Sequence, residues 1–352
     1  MTDRAKWQSE LDALRAMSAR VGGDPLLIQG AGGNTSIKIG DTLWIKASGR
    51  WLAEAERRDI MVPVRMQPLL EAVATVDPAA EQAQQFVLAD RNPSGLRPSI
   101  ETTVHALMPQ RVVVHVHCVD TIALAVRTDC ASKAAARLEG LNWSYIPYAR
   151  PGLPLAIAIS EHRKPDSDVL ILGNHGLVVA ADTVAETEIL LGEVKARLTI
   201  EPRAPRAADV AGLNDRVGKS PYRLPISEAA HGTALDPISL SFARLGSLYP
   251  DHVIFLGSGS VIAGGGEDVE AVVARIGETP VSILFPDLGV VMRENATPGA
   301  DAMARCLSDV CARIPAGAPV RPLTEEEHEQ LTNWDAEKYR QALARTADRR
   351  TA

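Results

Sequence analysis

The sequence predicts an α/β fold in two parts, and three observations carry that reading. Helical and strand periodicities alternate through the first two hundred residues, a stretch without apolar periodicity follows, and a shorter α/β pattern resumes after it. Trp7, Leu11, Leu14, Met17 and Val21 recur at helical spacing and stop at Gly22-Gly23, which predicts an amphipathic first helix with a glycine terminus. A loop, Gln29-Gly30-Ala31-Gly32-Gly33-Asn34-Thr35-Ser36, leads into strands at 37–39 and 42–45, joined by Gly40-Asp41 as a hairpin. The β-branched run Val112-Val113-Val114 opens another strand, and 169–179 predicts a buried hairpin broken at 173–176. Residues 180–200 are helical in pattern.

From 201 to 225 Pro, Arg, Asp and Gly accumulate, as in a linker. The expected organisation is therefore a first domain over 1–204, a linker over 205–235 and a second, smaller α/β domain over 236–352. In the second, 253–256, 281–285 and 289–292 are expected as strands, 267–276 and 300–314 as helices. A closing helix capped by Thr324 ahead of Glu325-Glu326-Glu327 is expected to run to residue 344.

Composition narrows the function. At 352 residues the chain is long enough for about two domains with cores of their own. Hydrophobic residues make up 46% and charged ones 23%, which excludes disorder as the overall state. The net charge of −7 gives no positive field to hold a polyanion, so no nucleic-acid partner is expected. No run of about 18 apolar residues exists to span a membrane, and the charged N-terminus is unlike a signal peptide. Four scattered cysteines without a Cys-x-x-Cys pair fit a reducing cytoplasm, the expected location.

The chemistry gathers around His115-Val116-His117. In a strand alternate side chains share a face, so both imidazoles can grip one metal ion, although two histidines satisfied within a core would show the same pattern. His175, in Gly173-Asn174-His175-Gly176, lies in a turn that would let a ligand approach, and a polar loop tip explains it as well. Glu101 follows Pro98-Ser99-Ile100, where a helix is expected to start, so Glu101 and His105 would share a helical face. The simpler role for Glu101 is an acid favoured by the helix dipole. Together three histidines and a glutamate match the nitrogen and oxygen ligands of a catalytic divalent metal, zinc foremost, with manganese or cobalt as the other fits.

In order along the chain stand Gly30-Ala31-Gly32-Gly33-Asn34-Thr35-Ser36, Ile45-Lys46-Ala47-Ser48-Gly49, Pro98-Ser99-Ile100-Glu101, His115-Val116-His117, Tyr148 to Gly152 and Asn174-His175-Gly176. This ordered set resembles the class II aldolase/adducin family, which includes fuculose-phosphate and rhamnulose-phosphate aldolases, over roughly residues 7–200. The resemblance implies an α/β/α sandwich around a mainly antiparallel sheet, assembled as a homotetramer or other homo-oligomer with sites at subunit interfaces. It implies His115, His117 and His175 as metal ligands, and Glu101 as the acid/base and a possible fourth ligand. Tyr148 resembles a tyrosine that family aldolases use to protonate the aldehyde, with an interfacial aromatic as the plainer role.

Gly33, Asn34, Ser48, Gly49 and Ser99 are similar to the family's phosphate-binding positions, with Arg97 or Lys46 as added charge. One departure stands out: Ile100 occupies the place where phosphate-using aldolases commonly have a second serine. A carboxylate or an unphosphorylated polyol end therefore stays open beside phosphate. A Schiff-base role for Lys46 is superfluous beside a metal.

The activity so implied is a metal-dependent aldolase acting on a small sugar-derived hydroxy-ketone such as a ketose 1-phosphate. Cleavage beside a carbonyl leaves an enediolate, which a Lewis-acidic metal stabilises and a tuned carboxylate serves with protons. Decarboxylation or epimerisation of a keto sugar acid or sugar phosphate could use the same groups, and a non-catalytic adducin-like assembly module is the alternative of a different class. The glycines of 257–265 are spaced somewhat as in a dinucleotide loop, but a plain turn accounts for them. The second domain and the run from Asn333 to Arg340 resemble the aldolase half of fused rhamnulose-phosphate aldolase/alcohol dehydrogenases, here without the dehydrogenase half.

Overall fold

The computed structural model describes residues 3–335 and residue 338. The chain divides into two compact units, one of Met1–Thr121 with Ala131–Thr199, the other of Ile122–Cys130 with Ile200–Ala352.

The first unit is built on a seven-stranded sheet. Helix α1 (Asp3–Gly22) precedes the hairpin of β1 (Asn34–Ile39) and β2 (Thr42–Lys46), and β3 (Met61–Arg65) leads directly into α2 (Met66–Ala74). Then come α3 (Thr102–Leu107), β4 (Val112–Val116), α4 (Val119–Ala125), α5 (Cys130–Arg137), β5 (Trp143–Ile146) and α6 (Leu153–His162). The hairpin of β6 (Val169–Leu172) and β7 (Gly176–Ala181) is followed by α7 (Val184–Leu198). Strand order is β3-β2-β1-β4-β7-β6-β5, antiparallel at every pairing except β5 with β6.

Central strand β4 is buried along its whole length, and its valines, interrupted only by His115, suit a strand covered on both faces. Each such valine contributes on the order of 2 kcal/mol by leaving water. On one face Val113, Leu170, Leu172 and Val178 pack with Val104 and Met108 around α3, and with Leu155 and Ile159 of α6. Helices α1 and α7 pack on each other and against β1 and β7 respectively. The helix-covered, mainly antiparallel sheet expected from the sequence is therefore present. Helix α7 starts with a capping box in which Thr183 and Glu186 satisfy each other's backbone NH groups.

The second unit holds a four-stranded sheet, β8 (Tyr222–Arg223), β11 (Gly289–Arg293), β10 (Ser282–Phe285) and β9 (Val261–Ile262) in that order, with β9 parallel to β10. Its helices are α8 (Val210–Val217), α9 (Gly232–Leu235), α10 (Pro237–Ala243), α11 (Pro250–Leu256), α12 (Val269–Ile276), α13 (Pro298–Cys311) and α14 (Glu325–Thr332).

Three expectations are corrected here. The linker at 205–235 is structured: it carries α8, β8 and α9, and Leu213 and Tyr222 enter the core with Val272, Ile283 and Val291. Just ahead of it, Arg203 donates to Cys311 O at 2.6 Å and pairs with Asp236 at 2.7 Å, which ties the segment down despite its polar composition. Residues 253–256 are helix α11 and not a strand. A short buried apolar run suits either element, and Pro250 in the first turn, with φ preset, decides for helix. The glycines of 257–265 consequently follow a helix.

The Thr324 cap is present, again as a capping box, with Glu327. The helix itself is shorter than expected: it ends at Thr332, with Asn333 as its C-cap and Trp334 non-helical, so it does not run on unbroken to 344. Beyond 335 only residue 338 is described. Among the described residues no helix is long and apolar enough to cross a membrane.

Candidate metal centre

Three imidazoles from two places in the first unit's sheet meet in its interior. His115 lies on β4 and His117 one residue past its end, on the same face by alternation, while His175 sits in the turn between β6 and β7. The sheet brings them together because β4 pairs with β7, His115 opposite Val178. Ring centroids are 4.9 Å apart for His115–His117, 4.9 Å for His115–His175 and 5.2 Å for His117–His175. One ligand atom from each lies within 4.8 Å of the others. His115 is fully buried, His117 and His175 are 5% exposed.

Close backbone approach makes this possible. A Cβ on Gly176 would stand 2.5 Å from Val116 O, and a Cβ on Gly33 2.8 Å from His115 O, so no larger residue fits at either position. Gly33 also has φ +59°, which favours glycine on its own account.

The donor set fits a divalent cation. His115 Nδ1 lies 3.0 Å from Leu177 O, a pure acceptor, so Nδ1 carries the proton and Nε2 presents a lone pair. That lone pair faces His117 Nε2 at 3.1 Å, an arrangement that needs a proton or a cation between the two nitrogens. Buried histidines with the outer nitrogen anchored to a carbonyl are how proteins prepare imidazoles for metal.

Glu101 completes the cluster. It is the residue immediately before α3, one position outside the helix expected to contain it, and its side chain does not cap that helix. Its carboxylate lies 3.4 Å from His115 Nε2 and 3.3 Å from His175 Nε2. Burial pushes this carboxyl up, but the neighbouring His115, His175 and His117 and the Asn34 amide outweigh that effect and hold it at about 2. Glu101, 5% exposed, is thus an anion held out of water.

The other expected residues fall into two groups. Asn34 and Ser99 touch the carboxylate's surroundings: Asn34 Nδ2 donates to Glu101 Oε2 at 2.8 Å and to Ser99 Oγ at 3.0 Å. Ser48 is next to them, since Ser48 N donates to Arg97 O and Ser99 N to Lys46 O. The Ser48 hydroxyl is buried without a hydrogen-bond partner among the described residues, and Gly49 follows it with φ +71°. Gly33 borders Asn34, with its carbonyl turned to Lys46 Nζ at 2.7 Å.

Tyr148 lies in the segment after β5. A Cβ on Gly173 would be 2.9 Å from Tyr148 N, so residue 148 adjoins the turn that carries His175.

Sequence reasoning missed the roles of two residues. Lys46 is buried, and its ammonium donates to Ala31 O and Gly33 O at 2.7 Å each, tying the glycine-rich loop to β2. His105 binds Asn34 Oδ1 through Nε2, and Ser36 through Nδ1 at 2.7 Å. Burial, reinforced by His115, pushes the His105 imidazole down to about 3, so it is neutral. The signals were a histidine four residues after Glu101 and a lysine in an otherwise apolar strand.

Comparison with known proteins agrees with the geometry. The sequence model of the Class II Aldolase and Adducin N-terminal domain matches residues 14–200. A curated relative, the uncharacterized oxidoreductase YuxG of Bacillus subtilis (strain 168), is 27% identical over 199 residues, which is 50% of this chain and 28% of that protein. The chain thus spans under a third of the length of that relative.

Solved structures with similarity include the N-terminal class II aldolase domain of a conserved protein from Thermoplasma acidophilum, with TM-score 0.47 and 27% identity over 54% of this chain and 92% of that one. The L-fuculose 1-phosphate aldolase from Glaciozyma antarctica PI12 gives a TM-score of 0.38 and 13% identity over 56% of this chain and 74% of that one. The matched residues 14–200 contain every member of the histidine–glutamate cluster and make up more than half of the sequence, so the chain belongs to the class II aldolase and adducin N-terminal domain family.

Proposed function

We propose that the chain is a metal-dependent carbon–carbon lyase that cleaves a small sugar-derived hydroxy-ketone by aldol chemistry, with a ketose 1-phosphate as the first substrate to offer. The observation that carries this reading is the buried Glu101 carboxylate, 3.4 Å and 3.3 Å from two imidazoles of a three-histidine cluster. A scaffold needs no such arrangement, because an ionised carboxylate away from water is costly unless it is paired.

In this reading His115, His117 and His175 hold a divalent cation, zinc before manganese or cobalt. A cation held there would polarise a carbonyl as a Lewis acid and stabilise the negative charge that develops beside it. Glu101 is the acid/base. In the direction of bond formation it takes the proton from the carbon next to the carbonyl, and Tyr148 gives one to the aldehyde oxygen. Cleavage runs both transfers in reverse. Asn34 keeps the carboxylate aimed, since its amide donates to Oε2 and leaves Oε1 toward His175.

Ser48, Gly49 and Ser99, beside Gly33 and Asn34, bind the substrate's anionic or polyol end. The buried, unpartnered Ser48 hydroxyl supports that role. We further place the protein in the cytoplasm as a homo-oligomer; its four cysteines are unpaired and buried.

Metal content per chain, measured on protein purified without chelators, tests the reading. About one zinc, manganese or cobalt per chain is expected, with release of an aldehyde from a ketose 1-phosphate or a related hydroxy-ketone. Carbon dioxide or an epimer as the only product would replace the aldolase by a decarboxylase or epimerase on the same residues. Protein that stays empty after dialysis against each metal would leave the adducin-like assembly module.

A further inference from the structure

The hydrogen bonds behind Glu101 form one chain with a determined direction. A carboxylate only accepts, so the Asn34 group facing Glu101 Oε2 is the NH2, and the same nitrogen donates to Ser99 Oγ. Asn34 Oδ1 is therefore the atom facing His105, and His105 Nε2 must carry the proton it donates there. With Nε2 protonated in a fully buried, neutral ring, Nδ1 has a lone pair, and the Ser36 hydroxyl 2.7 Å away must donate to it. Each link permits only one orientation of the next.

The register places this chain with precision. Asn34 pairs with His115 across β1 and β4, and Ser36 stands two residues along on the same face of β1. His105 reaches both from the last turn of α3, whose first residue follows Glu101. The imidazole that indirectly orients the carboxylate thus sits on the short helix that begins directly after Glu101, and the strand beside β4 supplies both groups that bind His105.

We propose that Ser36 and His105 are positioning residues for Glu101, acting through Asn34. The serine selects the ring tautomer, the ring selects which way the amide faces, and the amide fixes the carboxylate beside the three histidines. Reversing any link would present Asn34 Oδ1 to Glu101, oxygen against oxygen, and turn the carboxylate away. Nitrogen spectroscopy can read the arrangement without substrate, whereas its effect on turnover rests on the function proposed above.

The experiment uses the full-length, metal-loaded protein. In ¹⁵N-histidine-labelled wild type, the His105 signals, assigned by their loss in His105→Gln, should show the proton on Nε2 and an Nδ1 that accepts a hydrogen bond. A proton on Nδ1 would overturn the proposal. Ser36→Ala should leave metal per chain and KM unchanged while kcat falls roughly tenfold, the scale of lost support behind a metal site's functional groups. Ser36→Thr, which restores the hydroxyl, should recover most of that loss.

Wild-type kcat in a folded Ser36→Ala would sink the proposal, as would a loss confined to KM or metal content. If the wild type turns over no hydroxy-ketone, the aldolase reading fails. The tautomer measurement still decides the arrangement in that event.

Discussion

Both units bury histidines, and the two sets differ in what surrounds their rings. In the first unit His115, His117 and His175 converge, with centroids about 5 Å apart and a carboxylate among them. In the second, His231 and His252 each plug a backbone NH: Nδ1 of His231 accepts from Val290 N at 3.0 Å, and Nδ1 of His252 from Leu248 N at 3.3 Å. His252 Nε2 is left buried without a hydrogen-bond partner among the described residues. Burial of a histidine is therefore no sign of a site, because an imidazole is a ready acceptor for an orphan NH. Convergence of rings on a buried carboxylate is the sign.

The comparison breaks most visibly at the first set. His117→Ala should remove one ligand of three, taking metal content from about one per chain toward zero while the circular dichroism spectrum stays that of a folded protein. Metal retained at wild-type affinity would show that the convergence is a packing accident. His252→Asn, by contrast, should leave metal content untouched.

The next effect in size is on catalysis. Glu101→Gln keeps the shape of the side chain and removes the proton acceptor, so kcat should fall on the order of a hundredfold or more with the fold intact. An unchanged kcat would take Glu101 out of the acid/base role and leave it as a countercharge.

The second set predicts a pH effect of the opposite character, on stability alone. Burial first, and then nearby His328, push the His252 imidazole from 6.5 down to about 3, so the native protein holds it neutral. Tyr249, with its ring 5.7 Å away, and Asp251 next in sequence complete its polar surroundings, and His328 itself lies 3.7 Å from Glu325. Below pH 6.5 the unfolded chain takes up a proton that the native state refuses. Stability is then lost as pH falls from about 6.5 toward 3, by up to about 1.4 kcal/mol per pH unit. Urea titrations at pH 7, 6 and 5 should show that slope in the wild type and a shallower one in His252→Asn. Equal slopes would remove His252 as its source.

The smallest effect serves as a control shared by the two units. Each has a helix opened by a Thr-x-x-Glu capping box, Thr183 with Glu186 and Thr324 with Glu327. Thr183→Ala and Thr324→Ala should each cost about 1 kcal/mol in denaturant unfolding and change neither metal content nor kcat. A catalytic effect of either would show that helix stability, and not local chemistry, governs the site.

What the sequence made legible follows from the range of the interactions involved. His115 and His117 could be read because two-residue spacing in a strand is a local rule, and the Gly40-Asp41 hairpin and the Thr324 cap are local too. The partners of Asn34 could not, since Glu101 and His105 lie 67 and 71 residues away and meet it only through the pairing of β1 with β4 and the docking of α3. Lys46 shows the same limit. As a charge in a strand it invited a role toward substrate, and only the fold reveals that the carbonyls of Ala31 and Gly33 surround it. Helix α11 was misread as a strand for a different reason: seven residues are too few for either periodicity to declare itself.

Under the function proposed above, the lysine tie has a consequence for substrate selection. Because Lys46 fastens the glycine-rich loop to β2, and Asn34 at the end of that loop pairs with His115 on β4, the sheet works as a ruler. Its graduation is the separation of neighbouring strands, about 4.8 Å, which no side-chain change in the loop can stretch. In that reading, longer and shorter substrates are sorted at their far end, by residues outside the sheet. Broadening the range of accepted chain lengths is accordingly a task for those outer segments, with residues 30–36 left as they are.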